Sequence, residues 1–209
     1  MNKLIVFGGT FNPLTYAHDE IIKLAKSYFN EENIVILPSS DSFFHSWKNY
    51  DESMILPTNL RIDILKEYCK RNNCLLSLIE VEGKTSKTIE SIRELKKEYN
   101  KKECYFLLGS EKIKEVHTWF LADQLIKESY LVFFKRNNDD FKKEIEKSDF
   151  IKSNLDRCIF IEDTLSEYQD YSSTKLRELI KNNDYNSATK MTFDYILEKI
   201  RNDKNGNKK

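Results

Sequence analysis

The chain has 209 residues, 40% hydrophobic, 12% aromatic and 33% charged, a balance that suits a soluble globular protein with one substantial core. Its 34 basic residues equal its 34 acidic ones, so bulk charge gives no pull towards nucleic acid or an anionic membrane. Five glycines and three prolines exclude collagen-like and low-complexity architecture.

Leu4-Ile5-Val6-Phe7 is a short continuous apolar run ended by Gly8-Gly9, which predicts a buried strand. Ala17 to Phe29 carries Ile21, Ile22, Leu24, Ala25 and Phe29 at helical spacing. Ile34 to Leu37 is a second strand, closed by Pro38. Pro57 opens a helix whose face is Leu60, Ile64, Leu65 and Tyr68, since proline is tolerated in a first turn. Leu75 to Val81 is a third strand, and Thr85 to Tyr99 a helix with Ile89, Ile92 and Leu95 as its stripe. Cys104 to Leu108 is a fourth strand, again closed by a glycine, Gly109. Trp119 to Ile126 reads as helix, Tyr130 to Phe134 and Arg157 to Ile161 as strands, Ser173 to Ile180 and Phe193 to Ile200 as helices.

Continuous apolar strands alternating with amphipathic helices predict an α/β fold with a mainly parallel sheet covered on both faces. No linker or repeat divides the chain, so residues 1–201 are expected to form one domain and 202–209 a disordered tail. In such sheets ligands bind beyond the carboxyl ends of the strands, where the strand order switches. The apolar runs are all strand-sized, so no transmembrane helix is expected. The residues before Gly8 are too few for a signal peptide. Cys69, Cys74, Cys104 and Cys158 form no C-x-x-C pair and read as reduced thiols of a cytoplasmic protein.

The segment from Gly8 to His18 follows the first strand and runs into the first helix. Adjacent glycines let backbone N–H groups approach a ligand, and the helix N-terminus behind them favours a phosphate. The segment is neither G-x-G-x-x-G nor G-x-x-x-x-G-K-[ST]. Thr15 and His18 lie three apart and face one side of that terminus. Either alone reads as a helix cap or a surface histidine; together, after Gly8-Gly9, they read as a site for a phosphoryl or nucleotidyl group.

Gly8-Gly9-Thr10-Phe11-Asn12-Pro13-Leu14-Thr15-Tyr16-Ala17-His18 resembles the G-G-[ST]-F-[DN]-P-x-[HT]-x-G-H signature of the nucleotidylyltransferase superfamily, most closely of the nicotinate/nicotinamide mononucleotide adenylyltransferases. Thr15 stands where many members carry histidine, and Ala17 where they carry glycine. Tyr171-Ser172-Ser173-Thr174-Lys175-Leu176-Arg177 resembles the family's I-S-S-T-x-[IL]-R motif. Hydroxyls and N–H groups at a helix start, with a guanidinium one turn along, make a second anion site. Without the first motif they would read as a serine cap and a solvated arginine.

Gly83 to Ile89 resembles the family's S-Y-T-[IV]-x-T-L segment, which implies Thr85 and Thr88 near the pyridine nucleotide. Leu107-Leu108-Gly109-Ser110-Glu111 and Thr118-Trp119-Phe120 resemble its G-[AS]-D…W segment, with Glu111 in place of aspartate. Trp119 reads equally as a stacking partner for the nicotinate ring and as a core tryptophan. Arg136, after Phe133-Phe134, reads as a contact to a substrate phosphate or carboxylate, or as a solvated cation. Phe43-Phe44-His45-Ser46-Trp47-Lys48 falls where the family carries a [PH]-x-K loop, which implies His45 and Lys48 on the ATP phosphates. Arg61 resembles an arginine of a family helix and is expected to be structural.

The resemblance runs to Ile200 and implies a Rossmann-like, doubly wound nucleotidylyltransferase. Its implied reaction joins ATP to nicotinate or nicotinamide mononucleotide, giving a dinucleotide and pyrophosphate in NAD biosynthesis. It implies His18 and Thr15 on the α/β-phosphates, and Arg177 with Ser173 on the β/γ-phosphates, Ser172 beside them. Gly8, Gly9, Thr10 and Phe11 would cradle ATP; Asn12, Thr85, Thr88, Gly109, Glu111, Trp119 and Arg136 would meet the mononucleotide. Mg²⁺ is expected on the triphosphate, held by substrate oxygens and water, with no protein ligands. ATP and a pyridine mononucleotide are the expected partners, without nucleic acid or membrane; the sequence is silent on oligomeric state and leaves room for a homo-oligomer. The alternatives are a phosphopantetheine adenylyltransferase and a non-catalytic nucleotide-binding regulator on the same fold.

Overall fold

The computed structural model describes residues 2–31, 33–40, 55–136, 139–163, 168 and 171–206. His45 and Lys48, expected at the ATP phosphates, lie outside the described residues. Six strands, β1 (Lys3–Gly9), β2 (Ile34–Pro38), β3 (Leu75–Leu76), β4 (Glu103–Gly109), β5 (Tyr130–Phe134) and β6 (Cys158–Ile161), form one sheet in the order β3-β2-β1-β4-β5-β6. Every pairing is parallel. This is the expected doubly wound, Rossmann-like arrangement, with its order switching between β1 and β4.

The apolar runs are continuous because each strand except the short edge strand β3 feeds two cores. Ile5, Phe7, Ile34, Ile36, Leu107, Val132, Phe134 and Ile161 face one side. There they meet α1 (Tyr16–Phe29), α2 (Thr58–Asn72), α7 (Ser173–Lys181) and α9 (Asp194–Gly206). Leu4, Val6, Val35, Leu37, Phe106, Leu108, Leu131 and Phe133 face the other side. They meet α3 (Thr88–Glu98), α4 (Ala122–Glu128), α5 (Phe141–Glu146) and α6 (Asp149–Lys152). A period of two residues sends alternate side chains to opposite faces, so a strand buried on both shows no alternation.

Some elements differ from expectation. Only Leu75–Leu76 of the third strand pairs with β2. Beyond it the Glu82 and Lys84 amides bond back to the Leu78 and Ile79 carbonyls, and Gly83 adopts φ +73 to close the turn. The following helix starts at Thr88 rather than Thr85, and α4 starts at Ala122 rather than Trp119. Helix α5, helix α6 and α8 (Tyr185–Ala188) are one or two turns long, too short for a stripe of apolar residues to reveal them. Helix α9 continues to Gly206, past the Arg201 boundary where fraying was expected, with the Lys204 ammonium on the Ile180 carbonyl at 3.3 Å. No helix among the described residues is long and apolar enough to cross a membrane.

Candidate active site

The loop from Thr10 to Leu14 joins β1 to α1 and is pinned by its carbonyls. Arg61, fully buried on α2, donates from Nη1 to the Thr10 carbonyl at 2.8 Å and from Nη2 to the Ser39 carbonyl at 2.9 Å. Arg177 Nη1 donates to the Asn12 carbonyl at 2.7 Å, and the Ser173 hydroxyl to the Pro13 carbonyl at 2.8 Å. The Thr192 hydroxyl takes the Leu14 carbonyl at 2.7 Å. Asn12 itself is buried, its Oδ1 accepting the Leu56 amide at 2.9 Å. The two motifs, 165 positions apart at Asn12 and Arg177, therefore meet directly.

Space left by the glycines is filled by aromatic rings. A Cβ on Gly8 would lie 2.6 Å from the Phe106 ring, and one on Gly9 3.1 Å from Phe11. Phe11 holds φ 43, the left-handed region that a bulky residue rarely adopts. Its ring is buried edge-on against Phe7, centroids 5.3 Å apart. The Cβ side of both glycines is thus taken up by aromatic packing.

Phe7 and Phe11 also flank the His18 ring, at 6.0 and 5.3 Å between centroids. Thr15, buried and extended at φ −123, ψ 168, is the N-cap of α1. Its backbone N–H donates to His18 Nδ1 at 3.0 Å, and its hydroxyl lies 2.8 Å from the same nitrogen. Imidazole thus takes the place that Glu or Gln holds in a capping box. Burial, reinforced by the positive charge of Arg136, pushes the His18 pKa down to about 3. The ring is neutral at pH 7. With Nδ1 accepting the amide, its single proton sits on Nε2, so His18 offers one uncharged N–H donor.

The ends of β4 and β5 add a charged pair. Arg136 Nη1 stands 3.4 Å from Glu111 Oε1, and Nη2 donates to the Tyr171 carbonyl at 3.3 Å. Glu111 folds back over Gly109, where a Cβ would lie 2.1 Å from its Oε2. Ser110, buried, accepts the Arg136 backbone N–H at 2.9 Å and donates its hydroxyl to Asp139 at 2.6 Å. The sequence carried no sign of this clamp, because Asp139 has no motif around it. Ser172 caps α7 by accepting the Lys175 amide at 3.1 Å.

The expected mononucleotide residues divide between two places. Arg136 and Glu111 join the α7 start at Tyr171, with Arg136 acting on His18. Thr85, Thr88 and Trp119 belong to the opposite face of the sheet. There the buried Thr85 hydroxyl pairs with Ser91 at 2.8 Å, and Ser91 donates to Glu80 at 2.7 Å. Thr88 opens α3, and Trp119 stands edge-on to Phe106, centroids 6.3 Å apart. Phe106 is also the ring beside Gly8, which leaves Trp119 one ring away from the end of β1. Among the described residues no three His, Cys, Asp or Glu side chains form a metal-binding group.

The cytidylyltransferase-like family model matches residues 6–179, which takes in both motifs. The chain belongs to this family. Among its relatives, a protein of Mycoplasma genitalium named nicotinate-nucleotide adenylyltransferase/Ap4A hydrolase is 31% identical over 144 residues, covering 68% of this chain. This chain spans only 39% of that protein. A nicotinate-nucleotide adenylyltransferase of Fusobacterium nucleatum is 29% identical over 184 residues, 86% of this chain and 88% of the relative. The solved Plasmodium falciparum nicotinic acid mononucleotide adenylyltransferase complexed with NaAD superposes with a TM-score of 0.76 at 18% identity, covering 97% of this chain and 96% of that one. The same cytidylyltransferase-like fold is thus shared across very different sequences.

Proposed function

We propose that this protein transfers the adenylyl group of ATP to nicotinate mononucleotide, giving deamido-NAD and pyrophosphate. The observation that carries the reading is the neutral His18, its Nδ1 held by the Thr15 amide, at the N-terminus of α1 and the switch in strand order. The relatives' names, nicotinate-nucleotide adenylyltransferase in both cases, supply the substrate class.

In this reaction a mononucleotide 5′-phosphate oxygen attacks the α-phosphorus of ATP in line. The new P–O bond replaces the bond to the bridging oxygen, which leaves with its electron pair in pyrophosphate. The nucleophile is already anionic, so no general base is needed; catalysis is positioning and stabilisation of charge on phosphate oxygens. His18 Nε2–H donates to those oxygens, with the first-turn amides of α1 adding the positive end of the helix dipole. A neutral donor suits a step that begins and ends with an anion, because its N–H bonds the phosphate oxygens without being acidic enough to pass its proton to them. Arg177 and Ser173 act one step back, holding the Asn12 and Pro13 carbonyls that set the loop. Thr85, Thr88 and Trp119 are the proposed pyridine end. Mg²⁺ enters on ATP as part of the substrate, its remaining positions filled by water.

The test is pyrophosphate release from ATP with nicotinate mononucleotide, nicotinamide mononucleotide or phosphopantetheine in turn. Turnover is expected with the nicotinate form. Turnover with phosphopantetheine alone, or with no acceptor at all, overturns the proposal.

A further inference from the structure

The turn that follows β3 carries a carboxylate that the proposed reaction does not use. From Leu78 to Thr85 the turn closes with its own backbone. The Glu82 amide bonds the Leu78 carbonyl at 2.8 Å and the Gly83 amide the Glu80 carbonyl at 3.1 Å, while the Lys84 and Thr85 amides share the Ile79 carbonyl at 2.9 and 3.3 Å. The shape of the turn therefore needs nothing from the Glu80 side chain. That side chain is half-buried and follows the buried Ile79. Burial holds its carboxyl above the usual carboxylate range, and the bond from Ser91 only partly offsets this. Taking a carboxylate out of water is costly, and replacing it with an apolar side chain is often neutral or stabilising.

What Glu80 does hold is the end of a chain of hydroxyls. The Ser91 hydroxyl, fully buried on α3, donates to Glu80 Oε1 at 2.7 Å and stands 2.8 Å from the Thr85 hydroxyl and 3.3 Å from the Lys87 carbonyl. Serine has one proton to give. The short bond to the carboxylate takes it, so Thr85 donates to Ser91 and the chain runs one way, from Thr85 through Ser91 to Glu80. Lys87, the N-cap of α3, makes no side-chain cap bond. A second link at this helix start, from the Ser86 amide to Glu90, is exposed and 3.4 Å long. The buried chain is the tighter tie between the turn, the 84–88 segment and the first turn of α3.

We infer that Glu80 is a positioning residue for the mononucleotide: through Ser91 it fixes the 84–88 segment against α3, so that Thr85 and Thr88 are in place before the substrate arrives. The inference rests on the adenylyltransferase reading, in which this segment belongs to the pyridine end, and adds the residue that holds it. A segment ordered in advance spares the ligand the cost of ordering it on binding. The phosphate end of the site, at the starts of α1 and α7, has no part in this chain, so the effect falls on one substrate.

Calorimetric titration with nicotinate mononucleotide and, separately, with ATP tests this. Glu80→Leu, which fills the place and removes the acceptor, should weaken mononucleotide binding by about tenfold, the loss of a charge-assisted bond, and leave ATP unchanged. Glu80→Gln keeps an oxygen for Ser91 and should stay near wild type. Ser91→Ala should match Glu80→Leu, and the double variant should be no weaker than either, because both cut one chain. Should Glu80→Leu fold poorly, Ser91→Ala and Glu80→Gln carry the test without it. Equal weakening of both ligands, unchanged mononucleotide binding in Glu80→Leu and Ser91→Ala, or Glu80→Gln as weak as Glu80→Leu overturns the inference. Wild-type pyrophosphate release on nicotinate mononucleotide beside any of these results sinks the inference alone. Selective loss of mononucleotide affinity in a protein that shows no turnover on any acceptor upholds it and sinks the proposed reaction.

Discussion

His18 shows how one residue's role is set by its immediate neighbours. The Thr15 amide occupies Nδ1, and burial beside Phe7 and Phe11, with Arg136 near, keeps the ring unprotonated with a pKa of about 3. Replacing it by alanine removes one donor to developing phosphate charge, so kcat for pyrophosphate release should fall about 10²–10³-fold. Retention of near-full turnover would remove His18 from the chemistry. The same perturbation is a stability statement. The folded ring takes its proton near pH 3 and the unfolded one near about 6.5, so between these values the unfolded chain binds more protons. This contribution is complete above pH 6.5 and is lost as the pH falls towards 3. Between pH 7.5 and 5, wild-type stability should drop by about 1–2 kcal/mol relative to His18→Asn, read by urea unfolding. Parallel curves for the two proteins would contradict it.

Between elements, the decisive links run from helices to the loops that leave the strands. Arg61 on α2 binds the carbonyls after both β1 and β2, and Arg177 on α7 binds the same first loop from the other side. Arg61→Met keeps most of the apolar stem and leaves two carbonyls without their cation, so unfolding free energy should fall by about 2–4 kcal/mol. A denaturation midpoint equal to wild type would show that water replaces the guanidinium at no cost. The strands and long helices were legible in the sequence because burial on two faces leaves unbroken apolar runs, and burial on one leaves a stripe. The shortness of β3 was not, because the turn that ends it depends on backbone bonds from Glu82 and Lys84. Arg177 illustrates a deeper limit. Its spacing after Ser172 is the same whether or not it also holds a carbonyl, and the bond to Asn12, 165 residues away, shows only in the folded chain. Gly8 is similar: the motif was visible, but the Phe106 ring that needs the glycine comes from another strand.

For the whole molecule, the candidate site exists only in the folded chain. Its parts come from the ends of β1, β4 and β5 and the starts of α1 and α7, and no shorter segment brings residues 12 and 177 together. Under the proposed function such a site binds ATP in the folded state and not in the unfolded one, so ATP should stabilise the fold by mass action. At a hundredfold excess over its Kd the gain is about 2.7 kcal/mol. A chain of 209 residues shifts its midpoint by about 2–4 °C per kcal/mol, so a thermal melt with saturating ATP should rise by roughly 5–10 °C. No rise at saturation would mean that the converging motifs do not make a nucleotide site. Arg177→Leu breaks the bond between α7 and the first loop, so its midpoint should fall even without ATP. An unliganded midpoint equal to wild type would show that the loop keeps its place without the guanidinium.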